Sequence, residues 1–376
     1  MRITLVIYSL NAGGAERVMS TMANFWAEKN WTVNLLTLDS PDAQPFYKLH
    51  PAVRHRALGL ASVSKNPLAA MARNLHRVRL LRRAIRETEP DVVLSSMSQT
   101  NVLTLFATGG MKVPVIVREA NNPYLSAIGK QWILLRRWTY RKAARVVLLS
   151  QDSLSYFSDA VKRRAMVIPN PVMIAAQSRS ANSSNGELKT IIAMGRFVPQ
   201  KGFEMLLQAF ARIAEKHPGW SLEILGDGPL RAELESLAEK LGVAAHVRMP
   251  GVTKEPWDKL RQADLFVMSS RFEGFPNALC EAMACGLPAI SFDCRTGPAE
   301  IIRNGVDGVL VPAENVGALG DAMERLMNDP KQREALAARA PEVLERFGLQ
   351  KVMGIWETVI AELKSSEKQA RKKTAR

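Results

Sequence analysis

Short apolar runs, each followed by a longer stretch of helical periodicity, recur along nearly the whole of this 376-residue chain. In the first half the runs are Arg2–Tyr8, Thr32–Leu38, Asp91–Ser95, Pro114–Val117 and Arg145–Leu149. In the second they are Thr190–Met194, Ser221–Leu225, His246–Met249, Asp264–Met268 and Pro288–Phe292, with helical segments at 201–216, 230–242 and 276–285. Most are apolar at successive positions, without alternation, as expected of strands whose two faces are both covered. Repeated strand-then-helix order, met twice, predicts an α/β protein with two doubly wound parallel sheets.

Between the halves, Gln177 to Gly186 is polar, built of small residues and without periodicity, which reads as a linker. The expected division is a first domain at 1–171, a linker at 172–188 and a second domain at 189–348. A helix at 349–364 returns to the first domain, and a basic, disordered tail follows at 365–376. Two such domains are expected to face each other across a cleft, where ligands favour the carboxyl ends of parallel strands. Charge divides along the same lines. Residues 1–171 carry 24 Lys and Arg against 10 Asp and Glu, whereas residues 172–363 carry 21 against 25. A first half of net +14 points to an anionic partner, nucleic acid or membrane. No apolar run is long enough to span a bilayer, and Met1–Tyr8 is too short and strand-like for a signal peptide. The three cysteines, Cys280, Cys285 and Cys294, have no histidine set beside them, so buried thiols are expected in preference to a zinc site or a disulfide.

Three segments carry groups suited to chemistry. Ser9–Arg17 follows the first strand and opens a helix, and Gly13 and Gly14 allow a ligand close to the backbone at a helix N-terminus, which favours anions. A tight turn uses glycine for steric reasons too, and the spacing is not that of a dinucleotide fingerprint. Gly195–Gly202 follows the first strand of the second half. There Arg196 offers a fork for phosphate oxygens and Lys201 a point charge, unless both are surface cations at a helix entry. Glu273–Glu281 places two carboxylates around a turn set by Gly274 and Pro276, with Pro276 at the first helical position. A carboxylate is the usual grip for ribose hydroxyls. An N-terminal helix acid or an exposed acid explains either glutamate alone, but not the whole segment.

Together these segments resemble the retaining glycosyltransferases of family 4, which have the GT-B architecture of two Rossmann-like domains. The resemblance is carried by Gly13-Gly14, the Gly195–Gly202 run, the E-x7-E spacing of Glu273 and Glu281, Ile168–Pro171 and Ile302–Gly308. It covers nearly the whole chain. It implies that Arg196 and Lys201 neutralise a donor diphosphate as it leaves and that Glu281 holds the ribose of a nucleotide sugar. Glu273 would bind hydroxyls of the transferred sugar, assisted by the backbone around Gly274, Phe275, Pro276 and Asn277. Gly13 and Gly14 would let the first domain close over donor and acceptor. Fixed cations at a departing anion lower the barrier, and no metal-binding D-x-D-like cluster stands out, so a metal-independent enzyme without cofactor is implied. One departure is Ala120, where many members carry histidine. Glu119 or Asn121 is then expected to contact the acceptor.

The segment Pro67–Glu87 sets Leu68, Met71, Leu75, Val78, Leu81 and Ile85 at helical spacing among Arg73, Arg77, Arg79, Arg82, Arg83 and Arg86. Such a helix suits anionic headgroups or a diphosphate, or is simply a surface helix with a solvated basic face. Arg136–Lys142 adds aromatic residues suited to an interface. Within the family, the chain looks most like N-acetylgalactosaminyltransferases that extend polyprenyl-diphosphate glycans. That likeness implies a UDP-sugar donor, a lipid-linked acceptor and peripheral attachment to an anionic surface, the cytoplasmic face of the inner membrane. Action on lipopolysaccharide or exopolysaccharide with another hexose donor is the nearest alternative, and a nucleotide-sugar epimerase a further one. A pI of about 9.9 raises nucleic-acid binding, but no aromatic residues interleave the basic run at 73–86 and no binding motif occurs. A glycosidase is disfavoured because both glutamates lie in a phosphate-type site.

Overall fold

The computed structural model describes residues 1–60, 67–125, 128–173, 188–254 and 256–374. It contains two compact units, Met1–Pro169 with Val352–Arg376, and Asn170–Lys351. The linker segment read at 177–186 lies outside the described residues.

Seven strands form the first sheet: β1 (Arg2–Ile7), β2 (Thr32–Thr37), β3 (Arg54–Ala57), β4 (Val92–Ser96), β5 (Val115–Arg118), β6 (Arg145–Leu148) and β7 (Ala165–Val167). Their order is β3-β2-β1-β4-β5-β6-β7 and every pairing is parallel. The second sheet has β8 (Lys189–Met194), β9 (Trp220–Leu225), β10 (Val247–Gly251), β11 (Leu265–Met268), β12 (Ala289–Asp293) and β13 (Val309–Pro312), in the order β10-β9-β8-β11-β12-β13 and again all parallel. All ten strands read from the sequence are present within a residue or two. The three others, β3, β7 and β13, are edge strands. Arg54 and Arg56 of β3 are exposed, and charge on an edge strand is tolerated where a central strand would exclude it.

In the first unit the helices α1 (Gly14–Glu28), α2 (Pro67–Glu87), α3 (Ser98–Ala107) and α4 (Lys130–Thr139) accompany the sheet. Val18, Met22, Phe25 and Trp26 of α1 are buried at the spacing of a single helix face. From Val352 the chain belongs to this unit again. The helix Leu349–Thr374 buries Val352, Met353, Trp356, Val359 and Ile360, and within the unit Glu357 pairs with Lys29 at 2.8 Å. It continues past residue 364, where the sequence reading ended it. No glycine or proline lies between Ile355 and Thr374, and Lys, Gln, Ala and Arg all favour helix. No helix among the described residues is long and apolar enough to cross a membrane.

Candidate functional site

In the second sheet, β9 lies on one side of β8 and β11 on the other, so the strand order reverses at β8. The carboxyl edge of such a switch point is where open α/β sheets bind ligands. Two loops leave that edge side by side. One follows β8, makes a single tight turn at Pro199–Lys201, and enters the helix Phe203–Ala214. The other follows β11 and enters the helix Asn277–Ala284. They are laced together. The Ser269 hydroxyl donates to the Lys201 carbonyl at 3.0 Å, the Arg271 N–H to Gln200 at 2.8 Å, and the Gln200 amide to Phe272 at 2.9 Å. Gly202 makes this closeness possible: its φ is +59°, and an added Cβ would strike the Ser269 carbonyl oxygen. Gly202→Ala is therefore expected to cost about 1–3 kcal/mol, read as a lower unfolding midpoint for the second unit.

The lacing brings Lys201 and Glu273 together, 72 residues apart in sequence. The Lys201 ammonium lies 2.5 Å from Glu273 Oε1, and the Ser270 hydroxyl donates to the same oxygen at 2.6 Å. The lysine stem crosses Gly195, where a Cβ would stand 3.1 Å from Lys201 Cε. Arg196 is exposed, with no ion-pair partner among the described residues. Glu273 and Glu281 are both 5% exposed, so neither is a solvated surface acid. Pro276 is the N-cap of the helix and not its first residue. The Phe275 ring packs edge-on against Phe347, with centroids 5.4 Å apart. Of the expected backbone donors, the Asn277 N–H is engaged by the Phe275 carbonyl at 2.9 Å. Two cations, two buried carboxylates and a helix N-terminus on one sheet edge can hold a ligand with a diphosphate between two hydroxyl-bearing ends.

Sequence reasoning missed Ser269, Ser270, Gln200 and Thr296. Their residue types carry no signal until the two loops are adjacent. The three cysteines are free and buried. Burial, with the Glu273 carboxylate nearby, pushes the Cys294 thiol up to about 12. Among the described residues no group of His, Cys, Asp or Glu could hold a metal ion.

The first unit corrects several expectations. Gly13 is extended at the start of α1, with a φ of −174°. Its lack of a Cβ makes room for the Glu16 carboxylate, which folds back over it. A ligand approaching the backbone of Gly13 therefore meets a carboxylate of the chain itself. Glu119 is 2% exposed, and its carboxylate is engaged by groups of its own unit, against the expectation that it reaches out to an acceptor. The Ser98 hydroxyl donates to its Oε2 at 2.7 Å, the Tyr140 hydroxyl donates to Oε1, and the Arg136 guanidinium stands 3.7 Å away. Burial pushes the Glu119 carboxyl above its usual range, against the opposing pull of Arg136 and the two hydroxyls. Asn121, by contrast, is exposed. Arg118 is wholly buried, which lowers its guanidinium to about 10 despite Glu16 and Glu119.

The basic segments also divide. On α2, Arg77 donates to the Leu60 carbonyl at 3.0 Å and Arg82 to those of Ala107 and Gly109 at 2.8 and 2.7 Å, so both brace their own unit. Arg73 is half-buried. Arg79, Arg83 and Arg86 are exposed, as are Met71 and Leu75. Leu68 lies where side chains are not described. Within Arg136–Lys142, Arg136, Thr139 and Tyr140 are buried. Arg137, Trp138, Arg141 and Lys142 are exposed, with the Lys142 ammonium 3.6 Å from the Trp138 ring centre. Trp132, Arg136 and Tyr140 share one helix face, and the two aromatics were a readable sign that Arg136 turns inward.

Comparison with known proteins sets the chain in a wider group. Residues 13–171 match the model of the glycosyl transferase 4-like domain, and residues 175–343 that of glycosyl transferases group 1. An alpha-1,4-N-acetyl-D-galactosaminyltransferase of Campylobacter jejuni, named for a diphospho-undecaprenol glycan acceptor, is 28% identical over 97% of this chain and 100% of its own length. An exopolysaccharide phosphotransferase of Streptomyces coelicolor is 28% identical over the whole of this chain, which spans 42% of that relative. The fold is shared with Anabaena HepE, solved in complex with UDP and glucose. The TM-score is 0.77 at 19% identity, over 96% of this chain and 99% of that one.

Proposed function

The chain belongs to the glycosyl transferases, with a 4-like first domain and a group 1 second domain, and on that premise we propose that it moves N-acetylgalactosamine from a UDP-sugar to a polyprenyl-diphosphate-linked glycan, with retention of configuration. One observation carries the reading: a lysine and a buried glutamate meet on the switch-point edge, 2.5 Å apart, with the exposed Arg196 on the same loop. Arg196 and Lys201 stabilise the departing diphosphate, because cations already fixed in place need no reorganisation as charge develops. Glu273 accepts hydrogen bonds from the sugar and Glu281 from the ribose.

The Campylobacter relative's named acceptor supports a lipid-linked glycan. The Streptomyces relative's name favours, as a second reading, an exopolysaccharide acceptor. Peripheral attachment to an anionic membrane surface is supported by the exposed cations Arg79, Arg86, Arg137, Arg141 and Lys142 and by the exposed apolar side chains of Met71, Leu75, Leu134 and Trp138 on the same two helical segments. Exposed apolar side chains among cations suit a headgroup layer. The test incubates the protein with a panel of UDP-sugars and short polyprenyl-diphosphate glycans, reading product masses and the anomeric configuration. A mass increment of one N-acetylhexosamine with retained configuration is expected. Turnover of UDP-sugars without an acceptor to an epimer, or product only on a polysaccharide lacking the lipid, would overturn the reading.

A further inference from the structure

The turn that carries Glu273 is braced by the loop after β12. Phe272 and Arg295 form an isolated parallel bridge between the two segments. The next residue, Thr296, has φ +65°, a conformation that a β-branched side chain seldom adopts. Thr296 is 7% exposed, and its hydroxyl stands within donating distance of two main-chain carbonyls, that of Glu273 and, at 2.7 Å, that of Arg295, so its one proton ties the turn to its own loop. Gly297 follows at φ +104°, and a Cβ there would lie 2.6 Å from Pro276 Cδ and 3.8 Å from Glu273 Cβ. The loop is thus pressed against both ends of the turn. A residue held in an unfavourable conformation persists where its surroundings demand it, and such residues gather at functional sites.

Glu273 is then held at two points. Thr296 fixes its main chain, and Ser270 with Lys201 fixes Oε1. Among the described residues no hydrogen bond is made to Oε2. That oxygen is left to accept from a ligand hydroxyl, and its position depends on how high the main chain stands against the sheet edge.

We propose that Thr296 is a positioning residue that sets where the Glu273 carboxylate stands, and thereby which of two epimeric donor sugars the site accepts. The inference rests on Glu273 being the sugar end of the donor site. Epimers differ in the direction of one hydroxyl, so a carboxylate fixed at one height meets one epimer and misses the other. A misplacement of roughly an ångström costs about a hundredfold in rate.

The test compares the wild type with Thr296→Ser, Thr296→Val and Thr296→Gly. It uses the UDP-sugar turned over fastest and its C4 epimer, and measures UDP binding by calorimetry. Thr296→Gly removes the hydroxyl while suiting the backbone, so the comparison survives if Thr296→Val fails to fold. Without the hydroxyl, kcat/KM for the preferred epimer is expected to fall about ten- to a hundredfold and the epimer preference to shrink. UDP affinity should hold, and Thr296→Ser should restore both rate and preference. Thr296→Gly with unchanged rate and preference would overturn the proposal. So would Thr296→Ser failing as badly as Thr296→Gly, or UDP affinity falling in step with the rate, which marks a merely structural role. Glu273→Gln separates the premise from the inference. Full activity in that variant removes the sugar-end reading, whereas an inactive Glu273→Gln beside a normal Thr296→Gly removes only the role of Thr296.

Discussion

Replacing Lys201 by alanine is expected to lower kcat about a hundred- to a thousandfold, the scale seen when one fixed group facing developing charge is removed. Lys201 lies on a loop held by Ser269 and Gln200, with its stem packed over Gly195, so its ammonium is already in place when the diphosphate departs. The variant also strips a buried carboxylate of its cation. An unpaired Glu273 lowers stability, and that loss must be kept apart from the loss of chemistry. The Lys201→Ala, Glu273→Gln double variant does this. Glutamine still accepts from the Ser270 hydroxyl and carries no charge, so the unfolding midpoint is expected to recover while transfer stays lost. If the double variant regained wild-type turnover together with its midpoint, the pair would be a structural contact and the diphosphate assignment would fall.

The second large effect is expected in the first unit. Arg136→Met is expected to destabilise it by about 3–5 kcal/mol, the cost of leaving one charge of a buried pair without its partner. Arg136 and Glu119 are each 2% exposed, and Arg136 also donates to the Tyr156 hydroxyl at 2.6 Å. Glu119→Gln should cost less, because the amide oxygen keeps an acceptor for Ser98 or Tyr140. Adding Glu119→Gln to Arg136→Met is expected to return part of the loss. Chemical unfolding followed for the first unit measures all three. An unchanged midpoint in Arg136→Met would show that the pair holds nothing together. Donor turnover per folded molecule should be untouched in Glu119→Gln if that residue braces the fold, and a selective rise in acceptor KM would instead restore it to the acceptor site.

Much of the architecture was legible because its signal is local. A strand buried on both faces reads as a continuous apolar run, as in β1, β4 and β11, and a turn rich in glycine marks where a helix begins. The edge strands β3, β7 and β13 were not legible: in β3 the charges Arg54 and Arg56, which an edge tolerates, erase the apolar signature, whereas β7 and β13 are apolar but only three and four residues long. The second-unit site was half legible. Arg196, Lys201, Glu273 and Glu281 stand in segments whose spacing suggests a ligand. The hydroxyls that aim them, Ser270 and Thr296, belong to residue types found in any loop.

By itself the sequence determined the α/β class, the two-sheet organisation and the charged residues that could grip an anion. Each of these depends on residue type and on neighbours within a helical turn or a strand. Only the tertiary structure decided which of those charges are free to act. Lys201 meets Glu273 because β8 and β11 are adjacent, and nothing within either segment encodes that adjacency. Arg77 and Arg82 face carbonyls of their own unit, while Arg79 and Arg86, of the same residue type on the same helix, face solvent. Helical phase states where a side chain points. What waits there, whether a carbonyl, a carboxylate or water, is supplied by elements far away in the chain.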